Sequence, residues 1–285
     1  MTRAGEGNNR RTGGQADMRI DVPTRDRGVE SADCRRAIAE YRPSAFLFLL
    51  PVACCLLSVS LSISSPAQTV SGVPGYIRVP VATFNNDGTL LFGASFLPKQ
   101  HLPYSGNAYN ALAAYASLTF LSFVEVDLRI TRQLDMPPGS NHVADRVPTI
   151  RFRILKEKKW APAVAVGFHD VITSIETGEA RHFGATYLVA TKNFHVKKLW
   201  LDIGATAGWG AGRLLWNNDE FVGPFGGVSF NIDKLPWMLL LAEYDGATFN
   251  AGLRFVCFRR LYFTAATLNF DSFTGTISYQ FRLIR

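Results

Sequence analysis

The feature that most constrains the fold of this chain is an alternation of apolar and polar residues with a period of two. It is clearest in the sequence VEVDLRIT at 124–131, where four aliphatic residues alternate with charged or hydroxyl-bearing residues. Successive side chains of a β-strand point to opposite faces of a sheet, whereas a helix would require a period near 3.6. The pattern therefore predicts a strand with one apolar face and one charged face.

The same alternation recurs from position 88 to the end of the chain, and residues that favour turns (Asn, Asp, Gly and Pro) lie between the segments. It predicts twelve strands of about ten residues each, which is the length that a tilted strand needs to cross a bilayer. The predicted strands are 88–97, 109–120, 123–132, 147–156, 161–170, 183–194, 198–209, 222–232, 237–246, 248–257, 260–268 and 274–283.

These segments predict an all-β fold, a transmembrane antiparallel β-barrel of about 12 strands. No run after residue 67 approaches the ~18 unbroken apolar residues of a membrane-spanning helix, and a closed barrel is the other structure that satisfies its backbone in lipid. A secreted soluble β-sandwich also alternates and remains the competing architecture. Aromatic residues near strand ends favour the barrel, because they fit interfacial girdles: Phe120, Phe194, Trp209, Trp237, Tyr244 and Phe281.

Residues 1–67 are predicted to be a cleaved signal peptide with a long polar n-region. Residues 1–42 are polar and rich in arginine, an apolar run begins after Ser44, and the small residues at 65–67 suit a cleavage site. Two alternatives remain open. The apolar run approaches the ~20 residues of an uncleaved transmembrane anchor, and Val-Ala-Cys at 52–54 is a partial lipoprotein box.

The rest of the chain divides into two predicted parts. Residues 68–87 contain two prolines and read as an extended periplasmic lead-in that could enter the mouth of the barrel, and residues 88–285 form the barrel domain. A barrel with an export leader is expected in the outer membrane. Its expected partners are outer-membrane lipid and the barrel-assembly machinery.

Several function classes have little support. The formal net charge of +7 is mild for 285 residues, and basic runs such as 156–159 mix signs, so no nucleic-acid role is expected. Cys257 is the sole cysteine after residue 67, and the five histidines are dispersed, which predicts neither a disulfide nor a metal site. His169 and Asp170 are adjacent on one predicted strand and would point to opposite faces, so they do not suit a catalytic pair. We expect no enzyme activity and no cofactor.

The better functional candidates are the charged residues on the polar faces of the strands. In a transmembrane barrel these faces line the lumen, where a charge avoids the cost of facing lipid. At about twelve strands, the lumen is either filled by such side chains or forms a narrow polar conduit. The candidate lumen residues are Glu125, Asp127, Arg129, Arg151, Arg153, Glu157, Asp202, Glu243 and Arg254.

The chain also resembles a known family in blocks that occur in order along it. These are GYIRVPVA at 75–82, DGTL at 87–90, RVPTIRFRILKE at 146–157, PAVAVGFHD at 162–170, YLVATK at 187–192 and AEYD at 242–245. Together they resemble the YjbH family of outer-membrane β-barrel proteins associated with exopolysaccharide production. The sequence departs from the family at 171–176, where a Gly-Thr-rich loop is usual.

The resemblance implies a non-catalytic outer-membrane barrel that contributes to exopolysaccharide secretion or surface assembly. A polysaccharide chain and exopolysaccharide export proteins would then be further partners. The alternative within the same architecture is a structural or scaffold barrel of the envelope without a conduit. The soluble β-sandwich remains the alternative outside it.

Overall fold

The structure, a computed structural model, describes residues 67–102, 109–134, 136–137, 139, 143–170, 183–212 and 220–283. The predicted signal peptide, apart from Ala67, lies outside these residues. The described residues form twelve β-strands and two short 3₁₀ turns, at Lys99–His101 and Lys197–Leu199. The strands are β1 (Thr89–Leu97), β2 (Ala111–Phe120), β3 (Val124–Gln133), β4 (Val143–Leu155), β5 (Ala163–His169), β6 (Ala185–Val196), β7 (Leu201–Gly210), β8 (Gly223–Ile232), β9 (Met238–Tyr244), β10 (Phe249–Cys257), β11 (Leu261–Leu268) and β12 (Ser272–Arg282).

The twelve strands form one closed antiparallel barrel. Each strand pairs with its neighbours in sequence, and β1 closes the sheet against β12, with Thr89 opposite Arg282 and Phe96 opposite Gly275. The predicted barrel of about 12 strands is therefore confirmed, and the single closed sheet differs from the two packed sheets of a sandwich. Among the described residues, no helix is long and apolar enough to span a membrane.

All twelve predicted segments are strands, and their ends shift for local reasons. β4 begins at Val143 rather than 147, and a register shift beside it at Thr131/Arg132 indicates a bulge in its pairing with β3. β7 begins at Leu201 rather than 198, because Lys197–Leu199 forms a 3₁₀ turn that Trp200 ends in the left-handed conformation.

The wall of the barrel has its apolar side outside and its charged side inside. On β3, Val126, Leu128 and Ile130 are 43–47% exposed, whereas the alternating residues Glu125 and Asp127 are at most 3% exposed. A soluble protein buries its aliphatic side chains and solvates its charges, so this polarity is inverted.

The links between strands define two ends of the barrel. We call one the short-turn end; its links are 121–123, 156–162, 197–200, 233–237 and 258–260. The other, the long-loop end, has the links 98–110, 134–142, 170–184, 211–222, 245–248 and 269–271. β1 starts and β12 finishes at the short-turn end. These positions decide where each lumen residue lies along the barrel axis.

Candidate functional site

Residues 67–85, which we call the lumen segment, lie inside the barrel. Most of its side chains are buried, with Val73, Ile77 and Val79 at most 1% exposed. The segment enters at the short-turn end, where Ala67 packs in a cluster with the wall residue Tyr262. It was predicted as an extended lead-in that could enter the barrel mouth, and the structure has it folded through the depth of the lumen.

Local sequence explains how the lumen segment bends within so small a space. The backbone bridges Gln68 to Pro74 and Gly75 to Pro80, and each proline presents a carbonyl but no N–H. Gly72 has a φ of +98°, and a Cβ there would lie 2.8 Å from the Cβ of Tyr115 on β2. This bend therefore requires glycine both for its backbone conformation and for its distance from the wall.

Glu243 on β9 binds the backbone of the lumen segment at its innermost turn. Its Oε1 accepts a hydrogen bond from the N–H of Arg78 at 2.6 Å, and its Oε2 accepts from those of Ile77 at 2.9 Å and Val79 at 3.1 Å. Asn250 of β10 donates to Oε1 at 3.0 Å. Three successive N–H groups converging on a carboxylate form an anion-binding nest, and here the anion comes from the barrel wall.

Arg254 on β10 binds the carbonyl groups of the same segment. Its Nη1 donates to the oxygen of Gly75 at 2.9 Å, and its Nη2 donates to that of Tyr76 at 2.5 Å. Its Nε donates to Thr264 Oγ1 at 3.0 Å, which orients the guanidinium from β11. Glu243 and Arg254 together satisfy N–H and C=O groups that a non-strand backbone leaves unpaired inside a barrel.

A second wall arginine holds the segment as it returns toward the short-turn end. Arg151 on β4 pairs with Glu125 on β3 at 2.6 Å, both side chains being fully buried, and also donates to the carbonyl oxygen of Val81. The N–H of Ala82 donates to Thr191 Oγ1 on β6 at 2.8 Å. The charges of Arg151 and Glu125 therefore neutralise each other, and the pair holds the Arg151 guanidinium where it donates to the lumen segment.

Arg78 attaches the tip of the lumen segment to the long-loop end. It forms ion pairs with Glu220, before β8, at 2.9 Å and with Asp245, after β9, at 3.1 Å. Although burial by itself raises the pKa of Glu220, the neighbouring His169 ring and the Arg78 guanidinium outweigh it and lower the pKa to about 2. Glu220 is therefore a carboxylate throughout the ordinary pH range.

The nine predicted lumen residues fall into two groups. Glu125, Asp127, Arg129, Arg151, Glu243 and Arg254 are at most 4% exposed inside the barrel, and Arg129 also pairs with Asp145 at 3.3 Å. The other three lie toward the short-turn end. Arg153 stands over the Phe84 ring at 5.6 Å, Glu157 pairs with Lys192 at 3.1 Å, and Asp202 pairs with His195 at 2.6 Å.

Sequence reasoning missed the residues that join the lumen segment to the wall. Arg78, Glu220, Asp245 and Asn250 were not singled out, although each contacts the segment or belongs to it. The two acidic residues and Asn250 lie in or beside links, where no alternation marks them. Arg78 was the available signal, because it is the one charged residue in the apolar, proline-rich stretch 67–85.

A cavity of about 400 Å³ remains between the lumen segment and the wall, toward the short-turn end. Its lining combines aromatic rings with hydroxyl, amide and carboxylate groups, which suits a polar ligand that carries many hydroxyl groups. Ser229 Oγ lies 3.5 Å from Tyr76 Oη within it. Other lining residues are Thr83, Glu157, Asn193, Asn231 and Tyr262.

One group of side chains near this cavity has the composition of a cation site. Ligand atoms of His195, Asp202 and Asp233 lie within 4.8 Å of one another. His195 Nδ1 and Asp202 Oδ1 are 2.6 Å apart, so a hydrogen-bonded pair accounts for the approach of two of the three.

His169, considered above for catalysis, lies deep in the lumen with Nε2 3.2 Å from Tyr187 Oη, at the other end of the barrel.

Comparison with known families identifies the chain at the level of the family. Residues 67–254, which include the lumen segment and the wall as far as Arg254, match the YjbH family, described as exopolysaccharide biosynthesis protein YbjH. No curated protein matches the chain. Because the match spans more than half of the sequence, this plugged twelve-stranded barrel belongs to the YjbH family of exopolysaccharide biosynthesis proteins.

Proposed function

We propose that this protein is an outer-membrane β-barrel that contributes to the secretion or surface assembly of an exopolysaccharide without catalysing a reaction. The inverted polarity of the barrel wall is the observation that carries the proposal. The family supplies the link to exopolysaccharide. The lumen segment and the cavity beside it supply the place where a polymer would be handled.

The outer surface supports a bilayer location. Large apolar side chains from most strands are exposed, including Phe92, Leu112, Phe152, Leu188 and Leu240, each at 40–50%. Soluble monomers rarely expose contiguous apolar patches beyond a few hundred Å². A band of outward apolar residues around a barrel with a polar interior is the arrangement that lipid requires.

The proposed orientation follows from the links. Outer-membrane barrels have short periplasmic turns and longer outer loops, so the short-turn end would face the periplasm. The predicted signal peptide would bring the chain there, and the barrel-assembly machinery would insert it. The cavity would then be reached from the periplasmic side, where an exported polymer and its export proteins arrive.

The chemistry of the cavity supports a saccharide ligand. A sugar unit presents hydroxyl groups that both donate and accept hydrogen bonds, and the cavity lining offers phenol, amide and hydroxyl partners. A volume of about 400 Å³ lies within the range of small-molecule sites and would hold a short stretch of a chain rather than its full length.

A scaffold without a conduit is the second candidate, and the lumen segment itself favours it. Glu243, Arg254 and Arg151 all use their charges to hold the segment in place. A barrel closed in this way presents a sealed lumen unless the segment moves. The two candidates therefore differ in whether the lumen segment ever leaves its site.

Membrane fractionation, followed by electrophoresis of heated and unheated samples in mild detergent, tests the barrel proposal. Recovery in the outer membrane with heat-modifiable migration is expected, and recovery as a soluble protein would contradict it. Single-channel recording of the intact protein and of a variant lacking residues 68–85 then separates the candidates. Conductance that appears when the segment is removed, together with brief openings of the intact protein, supports a gated conduit.

The saccharide proposal has a matched pair of variants on β8. Ser229 points into the cavity and Val228 points outward, and both are half-buried. Ser229→Phe would fill part of the cavity and is expected to reduce polymer export, whereas Val228→Phe adds a ring on the outer surface and should leave export unchanged. Equal export by both variants, at equal outer-membrane levels, would remove the cavity from the mechanism.

A further inference from the structure

The two ends of the barrel carry opposite charge. By sequence, the links of the short-turn end hold eight Lys and Arg against two Asp and Glu, and those of the long-loop end hold three against eight. The links of the short-turn end, all within the described residues, therefore carry a net charge of about +6, and the sequence of the long-loop links sums to about −5. The short-turn end therefore presents a basic surface.

Two links show how the basic residues are arranged. In 156–162, Lys158 and Lys159 are exposed beside Trp160, which is 88% exposed, and Lys159 Nζ lies 5.3 Å from the centre of the Trp160 ring. In 197–200, Lys197 and Lys198 are exposed and Trp200 is 62% exposed. Each link thus places a wide aromatic ring next to exposed ammonium groups.

The neighbouring links repeat the arrangement around the rim. Lys234 is exposed in the link that contains the partly buried Trp237, and Arg259 and Arg260 are exposed beside Phe258, itself 58% exposed. Four consecutive links of the short-turn end, all within the described residues, therefore combine cations with an aromatic ring. We call the exposed basic residues of links 156–162, 197–200, 233–237 and 258–260, together with the aromatic residues of these links, the basic rim.

The acidic residues of this end do not cancel the basic rim. Glu157 and Asp202 turn toward the cavity and already pair with Lys192 and His195. Asp87 is exposed and Asp233 half-buried. The rim cations outnumber these groups and lie outside them, so their charge faces the surroundings of the barrel.

We propose that the basic rim binds the phosphate headgroups of anionic phospholipids in the leaflet around the short-turn end. The inference rests on the proposed function, because it requires the barrel to lie in a bilayer. Aromatic rings with adjacent Lys or Arg are the composition of a membrane–water interface. Their spread over consecutive links fits a ring of lipids around the barrel, whereas a single polymer or partner protein would need one concentrated patch.

The size of the expected preference follows from the charge of the rim. A Lys or Arg close to an anionic membrane surface strengthens binding by a factor of about five. With this factor for each rim cation, anionic lipid should be enriched severalfold over zwitterionic lipid around the protein. The enrichment should fall as salt rises, because exposed charges are screened over about 10 Å or less at physiological ionic strength.

Tryptophan fluorescence provides the test, because Trp160, Trp200 and Trp237 belong to the basic rim. The full-length protein, with Trp209 and Trp216 changed to Phe, is reconstituted in vesicles of equal parts phosphatidylcholine and phosphatidylglycerol. In one sample the phosphatidylglycerol is brominated, and in the other the phosphatidylcholine is. Severalfold stronger quenching by brominated phosphatidylglycerol is expected.

Variants then assign the preference to the basic rim. Changing Lys158, Lys159, Lys197 and Lys198 together to Gln should bring quenching by the two lipids close to equality. Changing Lys99 and Arg146 to Gln, two exposed basic residues of the long-loop end, is the matched control and should leave the preference intact.

The possible outcomes separate this inference from the proposed function. Quenching by neither lipid would mean that the barrel is not in the bilayer, and both proposals fall. Equal quenching by both lipids of the protein with an unaltered basic rim would overturn this inference and leave the proposed function standing. Loss of the preference when an alginate oligosaccharide is added at low salt would also overturn it, and would assign the rim to an acidic polysaccharide instead.

Discussion

Glu243→Gln should release the lumen segment from the barrel wall. The wild-type carboxylate accepts three backbone N–H groups at 2.6–3.1 Å and one amide of Asn250. A Gln side chain keeps one acceptor oxygen and turns an NH₂ group toward at least one N–H donor. Hydrogen bonds to charged groups contribute about 1.5–3 kcal/mol each, so losing the charge and creating a donor–donor contact should cost about 3–5 kcal/mol.

That loss corresponds to at least about a hundredfold rise in the ratio of undocked to docked segment. A reporter cysteine measures it: Val79→Cys is buried when the segment is docked, since Val79 is fully buried. The native Cys257, also buried, is changed to Ser, so that the reporter is the sole thiol of the protein cleaved after residue 67. Thiol labelling of the Glu243→Gln variant should be faster than that of the reporter protein by about the same factor.

Glu157→Gln is the matched control, because it removes a carboxylate that also bonds a backbone N–H, that of Asn193, but at a partly exposed site. Exposed ion pairs contribute about 0–1 kcal/mol, so labelling of the reporter should change little. Equal labelling of the Glu243→Gln and wild-type backgrounds would refute the reasoning. In that case the segment would be held by packing and the nest around Glu243 would be incidental.

Three further predictions concern the barrel and the segment separately. The hairpin at Leu121 and Ser122 has positive φ at both residues, so Asn-Gly there should raise the temperature of heat-induced migration change, with about 1–2 kcal/mol gained. Because the pKa of Glu220 is lowered to about 2 from 4.5, the stability that its ion pair contributes is fully present above about pH 4.5 and is lost as the pH falls toward 2. Labelling of the reporter cysteine should therefore stay slow in mild acid and accelerate only as the pH approaches 2. Arg151→Ala leaves the Glu125 carboxylate buried without its partner and should destabilise the barrel by about 3–5 kcal/mol in denaturant titration, and adding Glu125→Gln should recover part of the loss.

The alternation of the sequence was enough to predict the strands of the barrel wall, because the two faces of each strand lie in different environments. Each of the twelve segments could be assigned locally, since outward-facing and lumen-facing residues differ at every second position. Glu125, Arg151, Glu243 and Arg254 were placed in the lumen on that ground alone, and all are buried there. The pattern could not predict their partners, because period-two alternation indicates on which face of the sheet a side chain lies but not which atoms it contacts.

The lumen segment was predicted as a lead-in to the barrel mouth, but its contacts within the lumen were not. Its structure depends on side chains far away in sequence: Glu243 binds N–H groups 164–166 positions earlier, and Arg254 binds carbonyls 178–179 positions earlier. Prolines and glycines in 72–80 indicated an irregular backbone but carried no information about what would satisfy it. Only the closure of the barrel brings the required donors and acceptors around the segment.

The contacts of the lumen segment also bear on how a polymer could pass. If the lumen segment moved and nothing replaced it, the buried charges of Glu243 and Arg254 would lose their partners, and each unpaired charge would resist the movement. The partners of both charges are backbone groups: N–H groups of the segment donate to the Glu243 carboxylate, and the Arg254 guanidinium donates to C=O groups of the segment. Water or sugar hydroxyl groups can replace both kinds of partner, because a hydroxyl donates and accepts. On the proposed function, a saccharide entering from the cavity would take over these bonds one at a time, and the segment could yield without leaving a buried charge unpaired.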